Sequence, residues 1–252
     1  MKKITLSLFT LLSALFLAST PALASHSWGD YHWARSANPF TLKLGDNLTS
    51  NWDPILATTS ADWSASSVLD TTVVAGQGGS NCKATTGRIE VCNRKYGNNG
   101  WLGIAQIYLS GAHITKGTTK VNDTYFNTSK YNTPAWRNLV MCQEVGHDFG
   151  LDHQDENFDN APLGTCMDYT SDPTPNQHPN THDYDQLTTI YAHLDSFTTV
   201  SAALSTVGRG QAEAGDDPSS WGQKVRQNGR SAVYEKDFGN GEKILTHVFY
   251  AD

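Results

Sequence analysis

Apolar and polar positions alternate over residues 40–44 (Phe-Thr-Leu-Lys-Leu), the period-two pattern of a strand with one buried face. Trp52, Ile55, Leu56, Thr59 and Trp63 then recur at helical spacing. This predicts a helix with Thr49 or Ser50 as its cap and Pro54 in its first turn, where a missing N–H costs nothing. β-Branched residues crowd positions 68–74 ahead of Ala-Gly-Gln-Gly-Gly, which reads as strand then loop. Further strands are predicted at 88–92, 102–109 and 116–126, with a turn at Asn98-Asn-Gly100. Thr133-Pro134 opens a second helix as N-cap and first helical residue. Its face runs through Trp136, Val140, Gln143 and His147, and it stops at Gly150, which suits the left-handed position after a helix. Residues 152–180 read as loop. A last helix is predicted at 182–194, capped by Thr181, with Leu187, Ile190, Tyr191 and Leu194 inward. Asn240-Gly241 between two alternating runs, 232–238 and 243–250, is a hairpin signal.

The N-terminus changes what counts as the domain. Lys2 and Lys3, an apolar run from 4 to 18 and the small-residue site Ala22-Leu23-Ala24 have the order of a secretory signal peptide. The run is shorter than the roughly 20 residues of a membrane span. Cleavage near Ala24-Ser25 places the chain outside the cytoplasm, secreted or periplasmic, without a membrane span. The expected organisation is a signal peptide at 1–24, one domain at 25–200 and a tail of unknown role at 201–252.

Composition narrows the function classes. The chain has 252 residues with 18 Lys and Arg against 25 Asp and Glu. That acidic balance excludes the basic face that sequence-independent nucleic-acid binding needs. Loss of the signal peptide removes two lysines and no acids, so the mature chain is more acidic still. In an oxidising compartment Cys82, Cys92, Cys142 and Cys166 form an even set with three possible pairings. Cys82–Cys92 would close a short loop between neighbouring strands. No Cys-x-x-Cys spacing suggests a metal-thiolate site.

The chemistry concentrates in residues 143–153, Gln-Glu-Val-Gly-His-Asp-Phe-Gly-Leu-Asp-His. Residues four apart share a helix face, so Gln143 and His147 point together. Gly150 lets the chain turn so that His153 swings back toward His147. Two imidazoles, an amide oxygen and the Glu144 carboxylate then converge, a set able to hold zinc and supply a general base. Asp152, Asp155, Glu156 and Asp159 lack the spacing of a calcium loop and read as a solvated acidic loop. Asn47, Asn122 and Asn127 begin glycosylation-type triplets.

This stretch resembles the metzincin zinc-peptidase signature, with Glu144, His147, Gly150 and His153 matching it and Gln143 standing where the first histidine would be. Cys166-Met167-Asp168-Tyr169 is similar to the Met-turn of that family, and its Met-x-Tyr form resembles astacins and serralysins, while Gly150-Leu151 and the last helix look more like matrixins. The resemblance covers roughly residues 38–196. It implies an α+β fold with a twisted mixed β-sheet, an active-site helix, a Met-turn and a C-terminal helix, to which the β-hairpin read from Asn240-Gly241 adds a tail without counterpart. It implies Zn2+ held by His147, His153 and Gln143, Glu144 as general base, Tyr169 beside the metal, Met167 beneath it and Gly150 as the turn. The strand near 104–109 would be the edge that pairs with an extended peptide. Because the active-site helix and the Met-turn meet under the metal, the resemblance favours Cys142–Cys166, leaving Cys82–Cys92.

The expected activity is therefore that of a secreted zinc-dependent endopeptidase acting on a protein or peptide substrate. Gln143 is a neutral and poorer zinc ligand than imidazole. Another residue, such as His113, His178 or His182, could complete the set, or the chain could be a catalytically impaired pseudopeptidase that acts by binding. A glycan-binding surface built from exposed tryptophans such as Trp28, Trp33 and Trp221 is a third reading.

Overall fold

The computed structural model describes residues 26–200 and 213–252. The predicted signal peptide and the first part of the tail lie outside the described residues. The strands are β1 (His32–Trp33), β2 (Phe40–Asn47), β3 (Leu69–Ala75), β4 (Ile89–Arg94), β5 (Trp101–Ser110), β6 (His113–Asn122), β7 (Gln223–Asn228), β8 (Ser231–Gly239) and β9 (Glu242–Tyr250). The helices are α1 (Asp53–Trp63), the single turn α2 (Asp123–Phe126), α3 (Pro134–His147) and α4 (Thr181–Ile190).

The strands form one mixed sheet in the order β3-β2-β4-β6-β5-β9-β8-β7, with β1 on the start of β6. β2, β3, β4 and β6 run parallel, and β5 is antiparallel to both its neighbours. A mixed sheet with few helices is the coarse architecture the sequence implied. The tail is part of that sheet. β9 pairs with β5 from Trp101↔Tyr250 to Ser110↔Glu242, and the Asn240-Gly241 turn has both residues at positive φ, 55° and 80°, as a tight hairpin requires. One expectation falls here. β5 is not an edge strand, because β6 lies on one side and β9 on the other, so the backbone groups that would receive a peptide are already paired.

Local chemistry explains the other differences. α1 starts at Trp52 with no side-chain cap, rather than at Thr49 or Ser50, and Pro54 lies in its first turn. The strand expected to reach 126 ends at Asn122, whose side chain accepts from Thr124 N and starts α2. Asn122 is fully buried, which removes it as a glycosylation acceptor. Asn180, not Thr181, caps α4 in a reciprocal capping box with Asp183, and the helix ends at Ile190, leaving Leu194 exposed. All seven tryptophans are buried, so the exposed aromatic face of the glycan reading is not present.

α3 packs on the sheet at β5 and β6, beside α1 on β3 and β2, and is buried from Leu139 to His147. Thr133 caps it, accepting from Trp136 N. Trp63 of α1 donates from Nε1 to the Cys142 carbonyl at 3.2 Å and meets Phe149 edge to face. The disulfides join Cys82 to Cys92 and Cys142 to Cys166. The second ties α3 to the segment that carries Met167. Among the described residues, no helix is long and apolar enough to cross a membrane. Two disulfides fit an oxidising compartment.

Candidate metal centre

Three turns of chain bring the candidate residues together. α3 carries Gln143, Glu144 and His147 on its last two turns. Gly150 then adopts φ +92°, and a Cβ there would lie 2.3 Å from the Tyr31 carbonyl oxygen, so both the turn and the close approach require glycine. Gly150→Ala is expected to destabilise the fold by at least about 2 kcal/mol, read from denaturant unfolding. Beyond the turn, His153 Nε2 lies 3.1 Å from His147 Nε2.

The tautomer of His147 follows from its surroundings. Its Nδ1 donates to the Leu151 carbonyl at 2.9 Å, which leaves the Nε2 lone pair facing His153. His153 Nδ1 lies 3.3 Å from the Asp152 carboxylate, an arrangement that orients an imidazole whose Nε2 binds a metal. Two tetrahedral zinc ligands stand about 3.3 Å apart, close to the separation of the two Nε2 atoms. Gln143 is fully buried. Its Nε2 donates to the Cys166 carbonyl at 2.8 Å, and its Oε1 is buried with no hydrogen-bond partner. An orphaned amide oxygen on the helix that carries His147 is the donor a cation would satisfy.

The segment that carries Met167 lies against α3. Met167 is buried, and a Cβ on Gly146 would lie 2.6 Å from its sulfur, so Met167 sits against α3 one residue before His147. Its carbonyl accepts from Gln154 N at 2.6 Å, which fixes the backbone next to His153. The Tyr169 ring lies 3.9 Å from that of His153 and stacks on Phe158 at 4.6 Å. Burial pushes the Tyr169 phenol up, so it stays protonated.

The residue that sequence reasoning missed is His247. It comes from β9, and its nitrogen lies within 4.8 Å of those of His147 and His153. His247 Nδ1 is 2.9 Å from Glu144 Oε2, and its Nε2 is 2.8 Å from Ser231 Oγ. The signal in the sequence was one histidine between Leu245 and Phe249 on the same face of a strand. His113, His178 and His182 sit elsewhere, against Asp195, Asp62 and His26 respectively.

The site is dry. Glu144, His147 and His247 have no exposure, and His153 has 5%. Burial, then the Asp148 carboxylate, raises the Glu144 carboxyl well above its ordinary range. Burial lowers His147, His153 and His247; neighbouring imidazoles reinforce this at His147 and His247, and Asp152 opposes it at His153, so every group favours its uncharged form. Asp152 is the exception. Burial opposes its charge, but hydrogen bonds from His153 and Arg226 hold the carboxyl far below the usual range. Arg226 of β7 grips both Asp152 oxygens, at 2.6 and 2.5 Å. A cleft of about 410 Å³ reaches Trp28, Tyr31, Asp152 and Arg226, but none of Glu144, His147, His153 or His247 lines it.

In comparison with known proteins, the chain matches no protein-family model and no curated protein.

Proposed function

We propose that this chain is a secreted metallopeptidase of metzincin type, held closed by its own C-terminal hairpin. The observation that carries the reading is the pair of His147 and His153 Nε2 atoms, 3.1 Å apart at the end of the helix that carries His147 and Glu144, with His147 Nδ1 held by the Leu151 carbonyl and His153 Nδ1 3.3 Å from the Asp152 carboxylate. Order along the chain supports it: strand, helix, several strands, signature helix, methionine segment, final helix. Gln143, His147 and His153 would hold Zn2+, and zinc supplies Lewis acidity toward a peptide carbonyl and toward water.

The remaining chemistry belongs to the chain. Glu144 takes a proton from the attacking water and passes it to the departing amine, and its burial raises its basicity for that task. Asp152 holds His153 in orientation. Tyr169 offers a neutral O–H near His153. A peptide substrate would pair with β5 in extended form.

β9 occupies that place. It runs antiparallel along β5 and puts His247 onto Glu144, so the base is engaged and no peptide reaches it. Arg226 on Asp152 and Glu156, and Asn228 on the Glu156 carbonyl, fasten the same hairpin to the loop after His153.

A second reading rests on one observation, the position of the His247 nitrogen within the same histidine group. His247 would then be a permanent third ligand and the chain a non-catalytic binding protein. The discriminating experiment is zinc content of the purified full chain and of His247→Ala after dialysis, with peptide hydrolysis measured with and without chelator. Zinc retained in His247→Ala, with hydrolysis that a chelator abolishes, supports the peptidase. Loss of one zinc without any hydrolysis supports the second reading.

A further inference from the structure

A second group of metal-binding side chains lies away from α3, at the start of β6. His32 comes from β1, His113 from β6, and His193 and Asp195 from the chain just after α4. Asp195 Oδ1 is 3.3 Å from His113 Nε2, 3.6 Å from His32 Nε2 and 3.8 Å from His193 Nε2, and His32 Nε2 is 3.1 Å from His193 Nε2. We infer that His32, His193 and Asp195, whose ligand atoms all lie within 4.8 Å of one another, form a second zinc site that is independent of the one on α3, with His113 hydrogen-bonded to its carboxylate.

Ligand spacing is the first argument. Ligand atoms about 2.0–2.1 Å from a tetrahedral zinc stand about 3.3 Å apart, and the separations among His32, His193 and Asp195, 3.1, 3.6 and 3.8 Å, bracket that value. Two imidazole nitrogens and one carboxylate oxygen, with a fourth position open, are also a donor set that zinc favours.

The second argument is how each group is oriented. His32 Nδ1 donates to the Asp30 carbonyl at 2.6 Å, so its Nε2 carries a lone pair. Asp195 Oδ2 accepts from Arg35 Nη1 at 3.0 Å and from Arg35 N at 3.2 Å, which turns Oδ1 toward the histidines. In the absence of metal, His113 can donate to Asp195 and His193 to His32. A cation would take the His32 and His193 lone pairs and the Asp195 oxygen together.

An entry path exists. A groove of about 430 Å³ is lined by His32 and His193, and the His193 side chain is 54% exposed. The site would strap the N-terminal segment to the chain after α4. That segment matters to the other centre, because Trp28 stacks on His147 with ring centroids 4.9 Å apart.

The test needs no activity. The full mature chain carrying His147→Ala and His153→Ala is dialysed against buffer containing zinc, then buffer alone, and its metal content is measured. One zinc per chain is expected to remain, and Co2+ in its place is expected to give the strong visible absorption of a tetrahedral ion. Adding His193→Ala is expected to weaken zinc binding more than about tenfold and to remove most of the rise in thermal midpoint that zinc produces. No zinc in the double variant, or zinc indifferent to His193→Ala, overturns the inference. If the double variant does not fold, the parent chain and His193→Ala alone are compared, since His193 is largely exposed. A content lower by one supports the site, and an equal content overturns it.

Discussion

Removing two contacts of the C-terminal hairpin, with Arg226→Ala and His247→Ala together, is expected to raise peptide hydrolysis by the full chain at least about tenfold. Each contact holds β7–β9 over the site by a separate route. Arg226 binds both oxygens of Asp152, and His247 binds Glu144. The charge-assisted hydrogen bonds of Arg226 to Asp152 contribute about 1.5–3 kcal/mol and the neutral His247–Glu144 contact about 1 kcal/mol, so losing both multiplies the population of an open form by about ten or more. His247→Ala also frees the base itself. The backbone pairing of β9 with β5 remains, so the open form stays a minority and the effect is a rate increase, not a change of fold. Hydrolysis that stays at the parent level in the double variant would mean that the hairpin is not what closes the site.

The largest expected loss comes from Glu144→Gln in that opened background. The substitution keeps the shape and the hydrogen-bonding capacity of the side chain and removes the proton acceptor. General-base catalysis contributes about 10²–10⁴-fold, so hydrolysis should fall by that factor while zinc content stays the same. Full activity in Glu144→Gln would sink the assigned role. A loss of zinc along with activity would instead place Glu144 among the metal-holding groups.

Much of this was legible in the sequence because it depends on short-range spacing. The turn of helix between Gln143 and His147, the glycine at position 150 and the cap at Thr133 are local rules, and the structure puts each where the pattern required. The capping of α4 was legible only to within a residue, since Asn180 and Thr181 are both competent caps and only Asn180 has Asp183 three residues on to close the box. What was not legible is long-range. Nothing in residues 242–250 says that they pair with 101–110, because a strand's alternation reveals that it has faces and not which strand lies beside it. That one pairing removes the expected free edge at β5, brings in His247 and makes the tail part of the sheet. The cluster at Asp195 was hidden for the same reason. His32, His113 and His193 are separated by about half the domain, and only the fold makes them neighbours.

The account stands on a metal held at the end of α3. The most direct measurement is the zinc content of the purified full chain beside that of His147→Ala and His153→Ala, each dialysed in the same way. The account predicts that each substitution lowers the content by one zinc per chain, whatever the second cluster holds. Equal zinc in all three proteins would contradict it.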